Sequence, residues 1–332
     1  MLSGLRRPIT KQLLTTRSFK SSTSLMQKDW NNLDIQDYDY AVNSMRKFFK
    51  SRGWKEVNTQ YRRSILAACE DPWTIAHYDF EGERWPLPQT GQMWLEYDLL
   101  RNPFVKGVFT ISTSYRQEPK PIYGRHQTIF PMFEFEGRGD LVDLRKMETE
   151  LLEYLGFGQR KPFKHISYYK ACNDYEVEDI EADQESKLCI DYGSVVFLER
   201  FPKRTNPFWN MYLQPGARET LVNGETVWEK EEHVRKIDVI IHGQETIGSA
   251  ERETNPELMR KYFETISDGA YAKKIRDLFG EDRVNAELED FLSLNFVQRY
   301  GGGIGIHRMI RGMELEGLLP VKSPMYKDFS VV

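Results

Sequence analysis

Between residues 36 and 52 the apolar side chains Tyr38, Val42, Met45 and Phe49 fall on one stripe, which predicts an amphipathic helix closed by Gly53. Residues 54–59 then alternate like a strand. Residues 106–118 alternate too, with Val108, Thr110, Ser112 and Ser114 set against Phe109, Ile111, Thr113 and Tyr115. Residues 130–136 read as a second strand, with Phe130, Met132, Glu134 and Glu136 sharing one face. The stretch between these strands holds Pro, Gly and cations and reads as a long loop, so the pair forms an antiparallel hairpin. Two acids on one face of an apolar strand are costly to bury unless cations, water or a ligand stand opposite them.

Pro88-Gln89-Thr90-Gly91 reads as a loop before a short helix that begins at Gln92. Residues 140–155 predict an amphipathic helix, and 182–190 a weaker one. Residues 195–201 and 207–213 read as strands, and 236–241 with 245–250 as another strand pair. Residues 256–279 and 283–296 are mostly helical. A glycine run from Gly301 opens a last helix, which carries Arg308 on its first turn. Strands joined by hairpins, with helices inserted rather than alternating, predict an α+β fold: an antiparallel sheet flanked by helices.

Charge and composition narrow this picture. The apolar fraction, 40% with 13% aromatic, supports a packed core in a chain of 332 residues. No apolar run approaches the ~18 residues of a membrane span, so no membrane partner is expected. Cys69, Cys172 and Cys189 have no CxxC spacing, which argues against a zinc knuckle or a disulfide framework. Residues 1–28 hold six cations and no acid, are rich in Ser and Thr, and can place Leu2, Leu5, Ile9, Leu13 and Leu14 on one helical face. They read as a mitochondrial or plastid transit peptide, or as a disordered basic tail. Translation from Met26 would instead leave a cytoplasmic protein. Removing residues 1–26 removes five of the cations and moves the formal charge from −4 to −9. Nucleic-acid binding calls for a basic surface, and none is evident in a body that acidic, although the total leaves room for local basic patches.

Candidate chemistry lies in two distant segments. Tyr115-Arg116-Gln117-Glu118 ends a predicted strand, and the glycine run leads into Arg308. Two arginines from separate elements, with glycine clearance beside one, suit a nucleoside triphosphate. With Gly124-Arg125-His126, Phe130 and Glu134-Phe135-Glu136 in order, the first segment resembles the second signature of the class II aminoacyl-tRNA synthetases, in their aspartyl, asparaginyl and lysyl branch. Gly301 to Arg308 resembles the third. Gly53-Trp54-Lys55-Glu56-Val57 resembles the first, although Gln60 stands where that family has a proline at its dimer interface.

The resemblance implies a class II synthetase core over residues 29–332; that family places an anticodon-binding OB barrel before the core, and with no room for it between the basic segment and the first helix no barrel is expected here. It implies ATP as substrate, Mg²⁺ as cofactor and a homodimer. Arg116 would bridge the ATP α-phosphate and the amino-acid carboxylate, and Arg308 would hold the γ-phosphate. Glu118 and Phe130 would hold the adenine, with Arg125 and His126 on the outer phosphates. Asp238 and Glu245 would hold the metal. Gln92, Glu134 and Arg252 would read the amino acid. Leu95 stands where aspartyl members carry a lysine, and Glu134 with Phe197-Leu198-Glu199-Arg200-Phe201-Pro202 matches the asparaginyl pattern, so asparagine is favoured and aspartate comes next. The acyl acceptor stays open. It is tRNA in the first reading, and ammonia, an amine or a protein in an asparagine-synthetase-like ligase. The third reading is a non-catalytic synthetase-like binding protein.

Overall fold

The first helix, α1 (Ile35–Ser51), starts where the Asp34 side chain accepts the Gln36 and Asp37 amides, and the chain turns away at Gly53 with φ +82°. This computed structural model describes residues 33–321 except 69–70, 122–126, 159–161, 206 and 223–224, with backbone alone along 218–229. The basic tail, Cys69, Arg125 and His126 therefore lie outside the described residues. Those described belong to one compact unit.

After α1 come β1 (Lys55–Glu56), a small hairpin β2 (His77–Phe80) and β3 (Glu83–Pro86), and α2 (Gln92–Arg101). The predicted hairpin follows as β4 (Gly107–Tyr115) and β5 (Ile129–Arg138), then α3 (Leu141–Tyr154). Next are β6 (Lys164–Ser167), α4 (Tyr168–Tyr175), α5 (Ala182–Tyr192), β7 (Val195–Pro202), β8 (Leu213–Val222), β9 (Glu225–Ile241) and β10 (Gln244–Glu251). The chain closes with α6 (Pro256–Thr265), α7 (Ala270–Phe279), α8 (Glu281–Leu292), β11 (Arg299–Gly305) and α9 (Ile306–Glu316). Among the described residues, the main sheet runs β1-β4-β5-β11-β10-β9-β7-β6, with β8 paired to β9. Among the described residues of this sheet, only β1–β4 and β6–β7 are parallel pairs.

Three expectations change. The alternation at residues 54–59 yields a two-residue strand, because Trp54 leaves the ladder to lie over Gly107 and Gly137, where any Cβ would overlap its ring. Residues 207–213 are not a strand until Leu213. Trp209 turns inward instead, 2% exposed, with its ring edge-on to Phe263 and Phe291. The glycine run is the strand β11, with the helix beginning at Ile306; Arg308 does lie on that helix's first turn.

The pleat explains which face is covered. Phe133 and Phe135 of β5, Val239 and Ile241 of β9, Ile247 of β10 and Ile304 of β11 face one way, into a core closed by α1, α3 and α9. The alternate residues face the opposite side: Met132, Glu134 and Glu136 of β5, Asp238 of β9, Gly248 of β10 and Gly301, Gly303 and Gly305 of β11. Three further apolar clusters, around α4–α5, around α6–α8 and a small one between α2 and β4, flank the structure without replacing that polar, glycine-rich centre.

Candidate active site

Two cavities lie over this central strip. One, of about 250 Å³, is lined by Arg116, Glu118, Phe130, Gly305, His307 and Arg308, among others. The second, of about 130 Å³, is lined by Gln92, Glu134, Phe208, Asn210, Met211 and Arg252, among others. Arg116, Met132, Glu245, Gly248 and Gly303 border both. Arg116 thus stands where the two spaces meet.

The backbone at Arg116 is fixed from both sides. Its amide donates to Thr128 O at 2.8 Å, Gln117 N donates to Thr74 O at 2.7 Å, and Arg116 bridges Ile75. The guanidinium carbon lies 5.5 Å from the centre of the Phe130 ring, a cation–π contact. Arg308 reaches the same cavity from α9 and donates to the backbone carbonyl of Glu245. The floor is low because of the glycines: a Cβ at Gly303 would stand 2.5 Å from Met132 Cε.

Gln92 is delivered by a tightly held loop. Gln89, 1% exposed, donates to Asp71 O at 2.8 Å and to Thr74 Oγ1 at 2.9 Å. Glu134 accepts from the Thr90 and Ser112 hydroxyls and from Gly91 N at 2.8 and 3.0 Å. Burial raises the Glu134 carboxyl, although these donors pull it back. Held by the loop on one side and by Ser112 of β4 on the other, Glu134 fixes the loop that delivers Gln92 while it also lines the smaller cavity.

Glu136 supplies what the sequence pattern demanded, an acid with cations opposite. It accepts from Gln92 Nε2, takes Arg252 Nη2 at 3.4 Å and lies 4.0 Å from Arg299 Nε. Arg299 in turn binds Glu96 at 2.6 and 3.0 Å, and Asn210 donates to Glu96 as well. Glu96, Glu136 and Arg299 are wholly buried. Sequence reasoning missed Glu96, Asn210 and Arg299. Glu96 had a signal, one turn beyond Gln92 on the same helical face. Arg299 had none, since its partner is 203 residues away. Leu95, where the resemblance places the lysine of aspartyl members, packs wholly buried with Leu99 and Val108, so that position brings no cation to the site.

Asp238 and Glu245 do converge. A Cβ built at Gly248 would lie 2.7 Å from Glu245 Oε1 and 3.6 Å from Asp238 Oδ1. Asp238 Oδ2 holds Lys236 Nζ at 2.7 Å, while Oδ1 is buried without a hydrogen-bond partner. Burial pushes the Asp238 carboxyl up, Lys236 pulls it down and Glu245 pushes it up again. Hard oxygen donors with an unanswered buried lone pair fit Mg²⁺. Among the described residues no cluster of three or more metal-ligating side chains forms, so phosphates and water would complete the shell.

A sheet with its core on one face and a glycine-floored double cavity on the other is the architecture of a class II synthetase core. The family described as tRNA synthetases class II (D, K and N), a family of ligases, matches residues 20–315, and the chain belongs to it. Similar curated proteins include the asparagine–tRNA ligase of Thermoplasma acidophilum, 24% identical over 242 residues that cover 58% of this chain and 54% of that protein. The asparagine–tRNA ligase of Desulforamulus reducens is 27% identical over 179 residues, covering 45% and 40%. The matched stretch thus spans about half the length of the first relative and less of the second. The asparaginyl-tRNA synthetase of Pyrococcus horikoshii, solved with asparaginyl-adenylate, superposes with TM-score 0.64 at 20% identity, covering 85% of this chain and 64% of that one. The Entamoeba histolytica asparaginyl-tRNA synthetase gives 0.62 at 17% identity, covering 87% and 67%.

Proposed function

We propose that this chain activates an amino acid with ATP as an aminoacyl adenylate, asparagine before aspartate, and transfers the acyl group to tRNA. The observation that carries the reading is Arg116 at the junction of the two cavities. With adenine and phosphates in the larger cavity and the amino acid in the smaller, a carboxylate oxygen attacks the α-phosphorus. The new O–P bond forms as the bond to pyrophosphate breaks. Arg116 faces both reacting groups and offsets the charge that gathers on the α-phosphate. Phe130 and Glu118 hold the adenine, and Arg308 the outer phosphates. Mg²⁺ held by Asp238 and Glu245 would neutralise the triphosphate.

Arg252 supports the amide preference. Its charge is already met by Glu136 and Glu96. A neutral amide side chain adds nothing unbalanced beside it, whereas a carboxylate would add a third acid to the group. The relatives solved with asparaginyl-adenylate or named as asparagine–tRNA ligases favour the same substrate. The reading extends to a homodimer and to an organellar address in residues 1–28, which the acid-free composition supports; a fluorescent fusion of those residues tests the address.

The test is ATP–pyrophosphate exchange with each of the twenty amino acids, followed by acylation of tRNA. Exchange with asparagine and charging of its tRNA are expected. Exchange with no amino acid overturns the activation reading, and exchange without charged tRNA overturns the acceptor. Arg116→Ala should lower exchange by at least about 100-fold with an unchanged circular-dichroism spectrum.

A further inference from the structure

Beside the two acids assigned to the metal stands a cation that this role leaves unexplained. Lys236 and Asp238 are two apart on β9 and share a face. The Lys236 ammonium lies 2.7 Å from Asp238 Oδ2 and 4.3 Å from the centre of the Phe201 ring. Both residues line a chamber of about 310 Å³ with Glu185, Glu245 and Tyr168. Glu245 also borders the two cavities of the site, so the chamber adjoins them along that residue.

We propose that Lys236 is a tethered counter-cation of the metal site: it holds Asp238 and Glu245 assembled before a divalent ion arrives, and it is the charge that the ion must displace. The inference rests on the metal reading above. Asp238 is buried and Glu245 half-buried, so the two carboxylates that meet beside Gly248 repel each other more strongly than in bulk water. An ammonium two residues before Asp238 on the same face of β9 relieves that repulsion, aided by the face of Phe201. With Lys236 in place the two acids keep one negative charge between them, a weak attraction for free Mg²⁺. The ion then enters best with the triphosphate, which brings its own oxygens and charge. Lys236 acts on the reaction through Asp238 and is a positioning residue.

The experiment uses the full chain without nucleotide, with Mn²⁺ followed by electron paramagnetic resonance and unfolding followed by heat. Wild type should bind Mn²⁺ weakly and gain little thermal stability from Mg²⁺. In Lys236→Met the two acids lose their counter-cation. Its midpoint should fall by several degrees in chelator and recover most of that loss in millimolar Mg²⁺. Its Mn²⁺ affinity should rise by roughly tenfold or more. Lys236→Arg, which keeps the charge, should resemble wild type. Should Lys236→Met not fold, Lys236→Gln takes the same test, because its amide keeps a hydrogen bond and loses the charge. Unchanged Mn²⁺ affinity, or a stability loss that Mg²⁺ does not reverse, overturns the inference. Asp238→Asn separates the two readings: Mn²⁺ binding that survives it overturns the metal assignment itself, whereas binding lost there but unaltered by the lysine change overturns the lysine's role alone.

Discussion

Gly301 shows how much of this site turns on single atoms. A Cβ there would overlap Glu136 Oε2 and Gln92 Nε2 and crowd the Phe135 carbonyl at 2.5 Å. The carbonyl is backbone and cannot swing away, so Gly301→Ala should destabilise the fold by about 1–3 kcal/mol in urea titration and weaken amino-acid binding as well. Glu136 makes a second prediction. Burial lifts its carboxyl, Arg252 pulls it back, Glu96 lifts it and Arg299 pulls it back, leaving it at about 7. The folded state therefore holds this proton more tightly than the unfolded chain, whose carboxyl titrates near 4.5. Its contribution to stability is full below about 4.5 and is lost as pH rises through about 7. Binding runs the other way. As pH falls through about 7 the carboxylate that orients Gln92 and Arg252 is neutralised, so KM for the amino acid should rise, and Glu136→Gln should flatten that pH profile. Leu95→Lys would bury a lone ammonium beside Leu99 and Val108. Lost stability, by several kcal/mol, is expected in calorimetry, and no gain of aspartate activity.

Among the elements, those with local rules were legible in advance. Helix α3 begins at Asp140, whose side chain accepts the Val142 and Asp143 amides while Asp143 reaches back to the Asp140 amide. Asp140→Ala should cost about 1 kcal/mol by chemical denaturation without altering nucleotide binding. The hairpin of β4 and β5 obeyed its alternation, because one face meets Phe49 and its neighbours in the core and the other meets polar partners. Residues 207–213 carried an equally strand-like pattern and failed. Trp209 packs buried and edge-on between Phe263 and Phe291, and Glu253 N donates to Asn210 O at 2.8 Å to hold the turn. That turn supplies Phe208, Asn210 and Met211 to the smaller cavity, so a missed local structure hid three candidate site residues.

For the whole molecule, one sheet divides the work. Its apolar face is sealed by α1, α3 and α9, and its polar face is left to the cavities. The segments that flank the β1–β4 edge also expose apolar surface, with Phe104 at 99% and Tyr61 at 70%. Covering such side chains favours association. A homodimer is therefore the expected mass in analytical ultracentrifugation, and Phe104→Ser should weaken it. A monomer at micromolar concentration would remove that part of the reading.

The sequence by itself carried the amphipathic helices, the β4–β5 hairpin and the α+β class, because periodicity is a local property, and its resemblance to the class II synthetases pointed to the arginines and acids of the candidate site. It also demanded partners for Glu134 and Glu136 without saying which. Only the tertiary structure decided that Glu134 ties the loop before Gln92 to β4 at the edge of the smaller cavity, that Leu95 belongs to the core, and that Glu96 and Arg299 complete a buried charge group around Arg252. Those outcomes depend on side chains up to about two hundred residues apart competing for the same dry space, and no local pattern encodes which partner wins.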